Sequence, residues 1–150
     1  MLNRSRTARG RLFAASAAAF TFAVAAPLLV TAAVAEAAPT ATCKGETATF
    51  VGTEGRDVFD GGPGRDVVVT LGGNDDIDAG GGNDLVCAGP GRDEIDGDLG
   101  NDEMYGQGGN DEMDGQGGDD ILVGNGGTDD ADGEAGFDTC NAEVEDQCEA

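Results

Sequence analysis

The chain has 150 residues, with 30 acidic against 8 basic side chains, 27 glycines, 4 cysteines, and neither histidine nor tryptophan. A formal net charge of −22 excludes nucleic acid and anionic membrane surfaces as partners. Without histidine, and without a G-x-S-x-G or metal-hydrolase motif, the sequence argues against an enzyme.

Residues 1–37 have the layout of a secretory signal peptide. Arg4, Arg6, Arg9 and Arg11 precede an apolar stretch from Leu12 to Val34, and Ala35-Glu36-Ala37 offers small residues to the peptidase. The stretch is long enough to span a bilayer as a retained anchor, but its alanine richness and the A-x-A site favour cleavage after Ala37. No two arginines are adjacent, so the general secretory (Sec-type) route is expected, and Thr40-Ala41-Thr42 is no lipoprotein box before Cys43. Cleavage removes a single acid, Glu36, and leaves Lys44, Arg56, Arg65 and Arg92 as the only basic side chains, so the charge becomes more negative still. The mature protein is therefore expected to be secreted, and disordered unless cations neutralise it.

Residues 38–51 read as an N-terminal cap segment. Thr47–Val51 forms a candidate capping strand, with Phe50 in the phase of an inward residue. Ten nine-residue blocks follow without insertion from Gly52 to Asn141. The fourth place is always glycine, from Gly55 and Gly64 through to Gly136. The sixth is always aspartate: Asp57, Asp66, Asp75, Asp84, Asp93, Asp102, Asp111, Asp120, Asp129 and Asp138. The eighth is apolar or nearly so, from Phe59, Val68 and Ile77 to Leu122, Ala131 and Cys140.

Each block then has two parts. Six glycine-rich, polar residues suit a tight turn with left-handed backbone angles, and the last three read as a short strand with one residue inward and two outward. Two blocks make one full turn, so odd and even blocks build two separate parallel sheets. Loops two blocks apart stack at about 4.8 Å, bringing Asp carboxylates and backbone carbonyls together. An all-oxygen, flexible donor set selects Ca²⁺ over zinc, copper or Mg²⁺. Four gaps on each side give a ceiling of about eight ions. Asp and Asn also serve as turn formers, but a charged residue at every sixth place is better explained by a metal.

The pattern G-G-x-G-x-D-x-U-x, as in Gly61-Gly62-Pro63-Gly64-Arg65-Asp66, resembles the RTX, or hemolysin-type, calcium-binding nonapeptide repeat family. The resemblance covers all ten blocks, more than half of the chain, and is nearest to small secreted actinobacterial members that consist of repeats alone. It implies an all-β fold, a right-handed parallel β-roll.

The two outer faces differ. Odd blocks present acids, such as Asp76/Asp78 and Glu94/Asp96, whereas even blocks present Val67/Val69, Leu85/Cys87 and Ile121/Val123. The apolar face is expected to be covered by the N-terminal segment, with a partner as the rival occupant. Arg56, Arg65 and Arg92 read as solvated charges that relieve local acidity. The pattern is degenerate at the ends: the first block begins Gly52-Thr53-Glu54, the third Thr70-Leu71, and the last has Glu134-Ala135 and Phe137. Sites that use the last block, with Asp138, are therefore expected to be weak or absent.

Four cysteines in an exported chain suggest two disulfides. Cys87 and Cys140 lie three strand spacings apart, about 14 Å, beyond disulfide reach. Cys43–Cys87 and Cys140–Cys148 are therefore expected, the second stapling residues 142–150 as an acidic C-terminal cap. The interior is too thin for stability by burial alone, so cation binding is expected to drive folding. The functional expectation is a secreted, non-enzymatic calcium-binding protein. Alternatives are a calcium-dependent surface or matrix adhesion module, for which self-association or a surface partner is open, and a disordered acidic polyelectrolyte. An ice-binding solenoid would need a regular threonine array, which neither face shows.

Overall fold

The computed structural model describes residues 40–148. The signal peptide expected at residues 1–37, and residues 149–150 of the tail, lie outside them. Fourteen strands and no helix occur among the described residues.

The strands follow the nine-residue register. Odd blocks supply β4 (Val58–Asp60), β6 (Asp76–Asp78), β8 (Glu94–Asp96), β10 (Glu112–Asp114) and β12 (Asp130–Asp132). Even blocks supply β5 (Val67–Val69), β7 (Leu85–Gly91), β9 (Glu103–Gly109), β11 (Ile121–Gly127) and β13 (Thr139–Asn141). The odd strands pair in parallel in one sheet and the even strands in another. Ile77 stands opposite Ile95, and Val86 opposite Met104, so each pairing is offset by two whole blocks. The protein is a β-solenoid of two parallel sheets, with two blocks to the turn.

The three-residue strand expected for every block is too short for β7, β9 and β11. These run on through the next loop, where Gly89 pairs with Gln107 and Gln107 with Asn125. The opposite loops keep only single bridges, Gly81 to Leu99 to Gly117 to Ala135.

Period-two alternation sends each eighth residue inward. Val68, Ile77, Val86, Ile95, Met104, Met113, Leu122 and Ala131 form a single-file core, each no more than 2% exposed. Phe50 and Phe59 close the N-terminal end, their ring centroids 4.7 Å apart.

Two loop positions explain the glycine content differently. The second place is left-handed from Leu71 to Glu134, yet Leu71, Asp98, Gln107, Gln116, Asn125 and Glu134 occupy it with side chains. Such angles cost a non-glycine residue free energy, so the stacked loops must enforce them. At the fourth place a positive φ, 150° at Gly109, is joined by a requirement for space. A Cβ on Gly109 would coincide with the carbonyl oxygen of Gly91 in the turn below, and one on Gly118 with that of Gly100.

The N-terminal segment is divided more finely than expected. β1 (Thr42–Cys43) and β2 (Glu46–Thr47) form an antiparallel hairpin through Lys44-Gly45, both left-handed, as two-residue hairpin turns require. Only β3 (Phe50–Val51) joins the roll, pairing Phe50 with Val68. The hairpin covers the start of the even sheet's outer face, where Cys43 packs with Val67, Val69, Leu85 and Cys87. Cys43 is disulfide-bonded to Cys87, Arg65 donates to both oxygens of Glu46, and the Lys44 ammonium sits 4.4 Å from the Tyr105 ring centre. Farther along the same face the cover ends, and Ile121 is 38% exposed.

At the other end, β14 (Val144–Asp146) adds to the odd sheet, with Ala131 opposite Glu145. This offset is shorter than two blocks and makes a tighter closing turn, held by the Cys140–Cys148 disulfide.

Candidate metal centres

The ten sixth-place aspartates stand just before their strands, at the junction where loop turns into sheet. Each backbone N–H in the ladder donates to a carboxylate one turn ahead. The Asp84 amide donates to Asp102 Oδ1 (2.6 Å), Asp93 to Asp111 (3.0 Å), Asp102 to Asp120 (2.7 Å) and Asp120 to Asp138 (2.9 Å). There are two such ladders: the even-block one begins where the Asp66 amide donates to Asp84 Oδ1 (2.6 Å), and the odd-block one where the Asp57 amide donates to Asp75 Oδ1 (2.8 Å). At the far end of the odd-block ladder the Asp129 amide donates to Glu143 Oε2 (3.0 Å), so a tail glutamate stands where the next odd block's aspartate would be.

The second oxygen is left without a donor. Oδ2 of Asp75, Asp84, Asp93, Asp102, Asp111, Asp120, Asp129 and Asp138 is buried and makes no hydrogen bond. A buried carboxylate oxygen with no partner costs free energy. Eight such atoms, one for each gap between stacked loops, make two regular rows of four with unmet demand for positive charge.

Asp57 and Asp66 differ. The Thr53 amide (2.7 Å) and hydroxyl (3.1 Å) both donate to Asp57 Oδ2, and the Thr49 hydroxyl donates to Asp66 Oδ1 (3.0 Å). The departure from the common geometry therefore lies at the first turn. Asp138, expected to be the degenerate one, is fully buried and placed like the mid-roll residues. Its unusual neighbours Phe137 and Glu134 do not disturb it, because both are exposed.

The turn-former and ligand readings are not exclusive, since the carboxylate holds the backbone with Oδ1 and leaves Oδ2 free. Fifth-place side chains add further cross-turn bonds, at Asn-Asp pairs that the sequence offers as turn formers within a loop. Asn74 Oδ1 accepts from the Arg92 amide and Asn110 Oδ1 from the Thr128 amide, both at 3.1 Å. The recurring Asn-Asp pair was the available signal.

Burial raises the proton affinity of five mid-roll carboxylates. Desolvation pushes Asp93, Asp102 and Asp120 up to about 6, only partly offset by the hydrogen bond from the neighbouring amide. Asp84 and Asp111 are raised for the same reason. Groups this reluctant to carry charge alone are well matched to a cation.

The residues fit calcium in donor type. Among the described residues no three His, Cys, Asp or Glu side chains form a metal cluster, so backbone oxygens must share the work. The loops bring them near: a Cβ on Gly97 would stand 3.0 Å from both Asp102 Oδ2 and the Gly115 carbonyl oxygen. Hard, flexible, all-oxygen surroundings suit Ca²⁺.

The arginines pair with acids on the surface: Arg56 with Asp76 (3.0 Å), Arg65 with Glu46 (2.7 Å) and Arg92 with Glu112 (3.5 Å). Along the odd sheet's outer face, Asp60, Asp78, Asp96, Asp114, Asp132 and Asp146 lie in one register. Burial and these neighbours push Asp96 up to about 6.

No curated protein and no solved structure matches the chain. The family model described as RTX calcium-binding nonapeptide repeat (4 copies) matches residues 51–86, 88–122 and 105–140. With the repeat register, the β-roll and this match in agreement, the chain belongs to the RTX calcium-binding nonapeptide repeat family.

Proposed function

We propose that this is an exported, non-enzymatic calcium-binding protein whose β-roll depends on calcium for its order. The observation that carries the reading is the set of eight buried Oδ2 atoms without donors. Asp75, Asp84, Asp93, Asp102, Asp111, Asp120, Asp129 and Asp138 would hold the ions together with loop carbonyls, up to about eight in all. Bound calcium supplies the positive charge that these oxygens lack. The protein supplies position: in the folded roll Oδ1 is fixed by an amide in the preceding turn, which leaves Oδ2 free for a cation.

Export is supported by the N-terminal layout of the sequence and by two disulfides, which persist in oxidising compartments. Affinity in the range of extracellular modules, roughly 10⁻⁴–10⁻³ M, would suit that setting. Titration calorimetry of the mature protein tests the reading. It should count more than four calcium ions, with no comparable uptake of Mg²⁺; absence of calcium heat, or equal response to both metals, would overturn it.

A further inference from the structure

The roll is uniform in path but not in content. Blocks 1–5 with the cap, residues 40–96, set twelve acids against all four basic residues, a balance of −8. Residues 97–148 carry sixteen acids and no base, a balance of −16 over a similar length. Apolar burial is divided the other way. Of the fifteen buried apolar residues among the described ones, eleven lie at or before Ile95, and only Met104, Met113, Leu122 and Ala131 lie beyond it. The first half also has a second packed layer, the hairpin over Val67, Val69 and Leu85, tied by Cys43–Cys87.

The first place of each block changes at the same boundary. In blocks 6–10 it is glycine: Gly97, Gly106, Gly115, Gly124 and Gly133. At each, an added Cβ would crowd the Oδ2 of that block's own aspartate, as at Gly115, where it would lie 2.9 Å from Asp120 Oδ2 and 3.0 Å from the Gly133 carbonyl. The place a first-position side chain would take is therefore occupied by the block's own aspartate, whose donorless oxygen stands there. In blocks 3–5 the first place is Thr70, Ala79 and Ala88, all fully buried. The Thr70 hydroxyl donates to the Ala88 carbonyl (2.7 Å), so a protein donor already serves an interior oxygen there. Blocks 1 and 2 start with Gly52 and Gly61, but Thr53 already donates to Asp57 Oδ2, and Asp66 Oδ2 is not among the buried donorless atoms. Asp75, Asp84 and Asp93 keep their donorless oxygens, but Arg65 lies in the field of Asp84 and Arg92 directly precedes Asp93.

We infer that the roll has two parts of different cation dependence: residues 40–96 hold their fold without calcium, and blocks 6–10 order on that base only when cations enter their glycine-fronted loops. The first-place residue contributes to the difference: a methyl group or hydroxyl fills the loop interior in blocks 3–5, whereas in blocks 6–10 the aspartate's donorless oxygen stands there and calls for a cation. This rests on the calcium reading above and adds a direction to it. The disulfide-latched half serves as the template, and each turn laid on it offers the next one its amides and carbonyls.

Hydrogen–deuterium exchange of the oxidised mature chain, in Ca²⁺ and in chelator, tests the inference. In chelator, amides of β5 to β8 should keep roughly 100-fold protection or more, while those of β9 to β12 should exchange like an unfolded chain. Calcium should protect both. Equal loss in both halves would overturn the two-part division and leave the calcium reading intact. Equal protection in both, with and without calcium, would overturn both. A variant carrying Ala79→Gly and Ala88→Gly should lose at least about tenfold of its protection in β5 to β8 in chelator while matching the parent chain in calcium. An unchanged chelator profile would remove the role given to the first place.

Discussion

The Asp84 amide donates to Asp102 Oδ1 across 2.6 Å, one turn ahead, while Asp102 Oδ2 is buried and meets no donor. One side chain thus has a structural oxygen and an unpartnered one, and substitution can separate them. Asp102→Asn keeps an acceptor for the Asp84 amide but removes the charge. It should lower the calcium count, and in chelator it should make the chain more ordered than the parent, because a buried unpaired charge has gone. Asp102→Ala also loses the hydrogen bond and should be less stable in calcium than the Asn variant by about 1 kcal/mol. Calorimetry and denaturant titration of both variants check this.

Asp138 lies in the same geometry as Asp102, since its Oδ1 accepts from the Asp120 amide at 2.9 Å and its Oδ2 is buried without a donor. Asp138→Asn should therefore reduce calcium uptake as Asp102→Asn does. An effect much smaller than at Asp102 would restore the weaker role that the block's sequence suggests.

Acid should act in opposite directions with and without the metal. Asp93, Asp102 and Asp120 are raised to about 6 in the folded, metal-free roll, above the roughly 3.9 of an unfolded aspartate. Their contribution to metal-free stability is full below about 3.9 and is lost as pH rises through about 6. In metal-depleted protein, strand signal in circular dichroism should therefore grow on acidification from pH 8 to pH 5. Calcium affinity should fall over the same interval, because protons compete for Oδ2.

Glycine is indispensable at Gly109, in the fourth place, and dispensable at position 107, in the second, where a glutamine already stands. A Cβ on Gly109 would collide with the Gly91 carbonyl, so Gly109→Ala should cost about 3 kcal/mol or more, or prevent folding. Gln107 holds a φ of 75°, so Gln107→Gly should stabilise the holo protein by about 0.5–1 kcal/mol. Thermal melts in calcium distinguish the two.

Much of this was legible in the sequence because the period is strict. An inward residue every nine positions, with loops too short for helices, leaves little choice beyond two stacked parallel sheets, and it places Phe50 in register with Val68. Cysteine spacing similarly pointed to the Cys43–Cys87 and Cys140–Cys148 links that the structure contains. What the sequence hid depends on backbone contact between turns. Glycine at the fourth place reads as freedom of rotation, which the φ of 150° at Gly109 uses, but a carbonyl in the turn below adds a demand for space that the sequence does not show. Gln107 and Asn125 give no sign of left-handed angles, which the stack imposes on them. The last block looked degenerate because Phe137 and Glu134 are unusual, but both are exposed. The Thr53 donors to Asp57, and Glu143 at the far end, come from outside the repeat's rule.

The central claim is that a ladder of half-satisfied carboxylates makes the roll depend on calcium. Far-ultraviolet circular dichroism of residues 38–150, titrated with Ca²⁺ and then with chelator, tests it most directly. The account predicts a large, reversible gain of strand signal in calcium that Mg²⁺ does not reproduce. A spectrum unchanged by calcium, or changed equally by Mg²⁺, would contradict it.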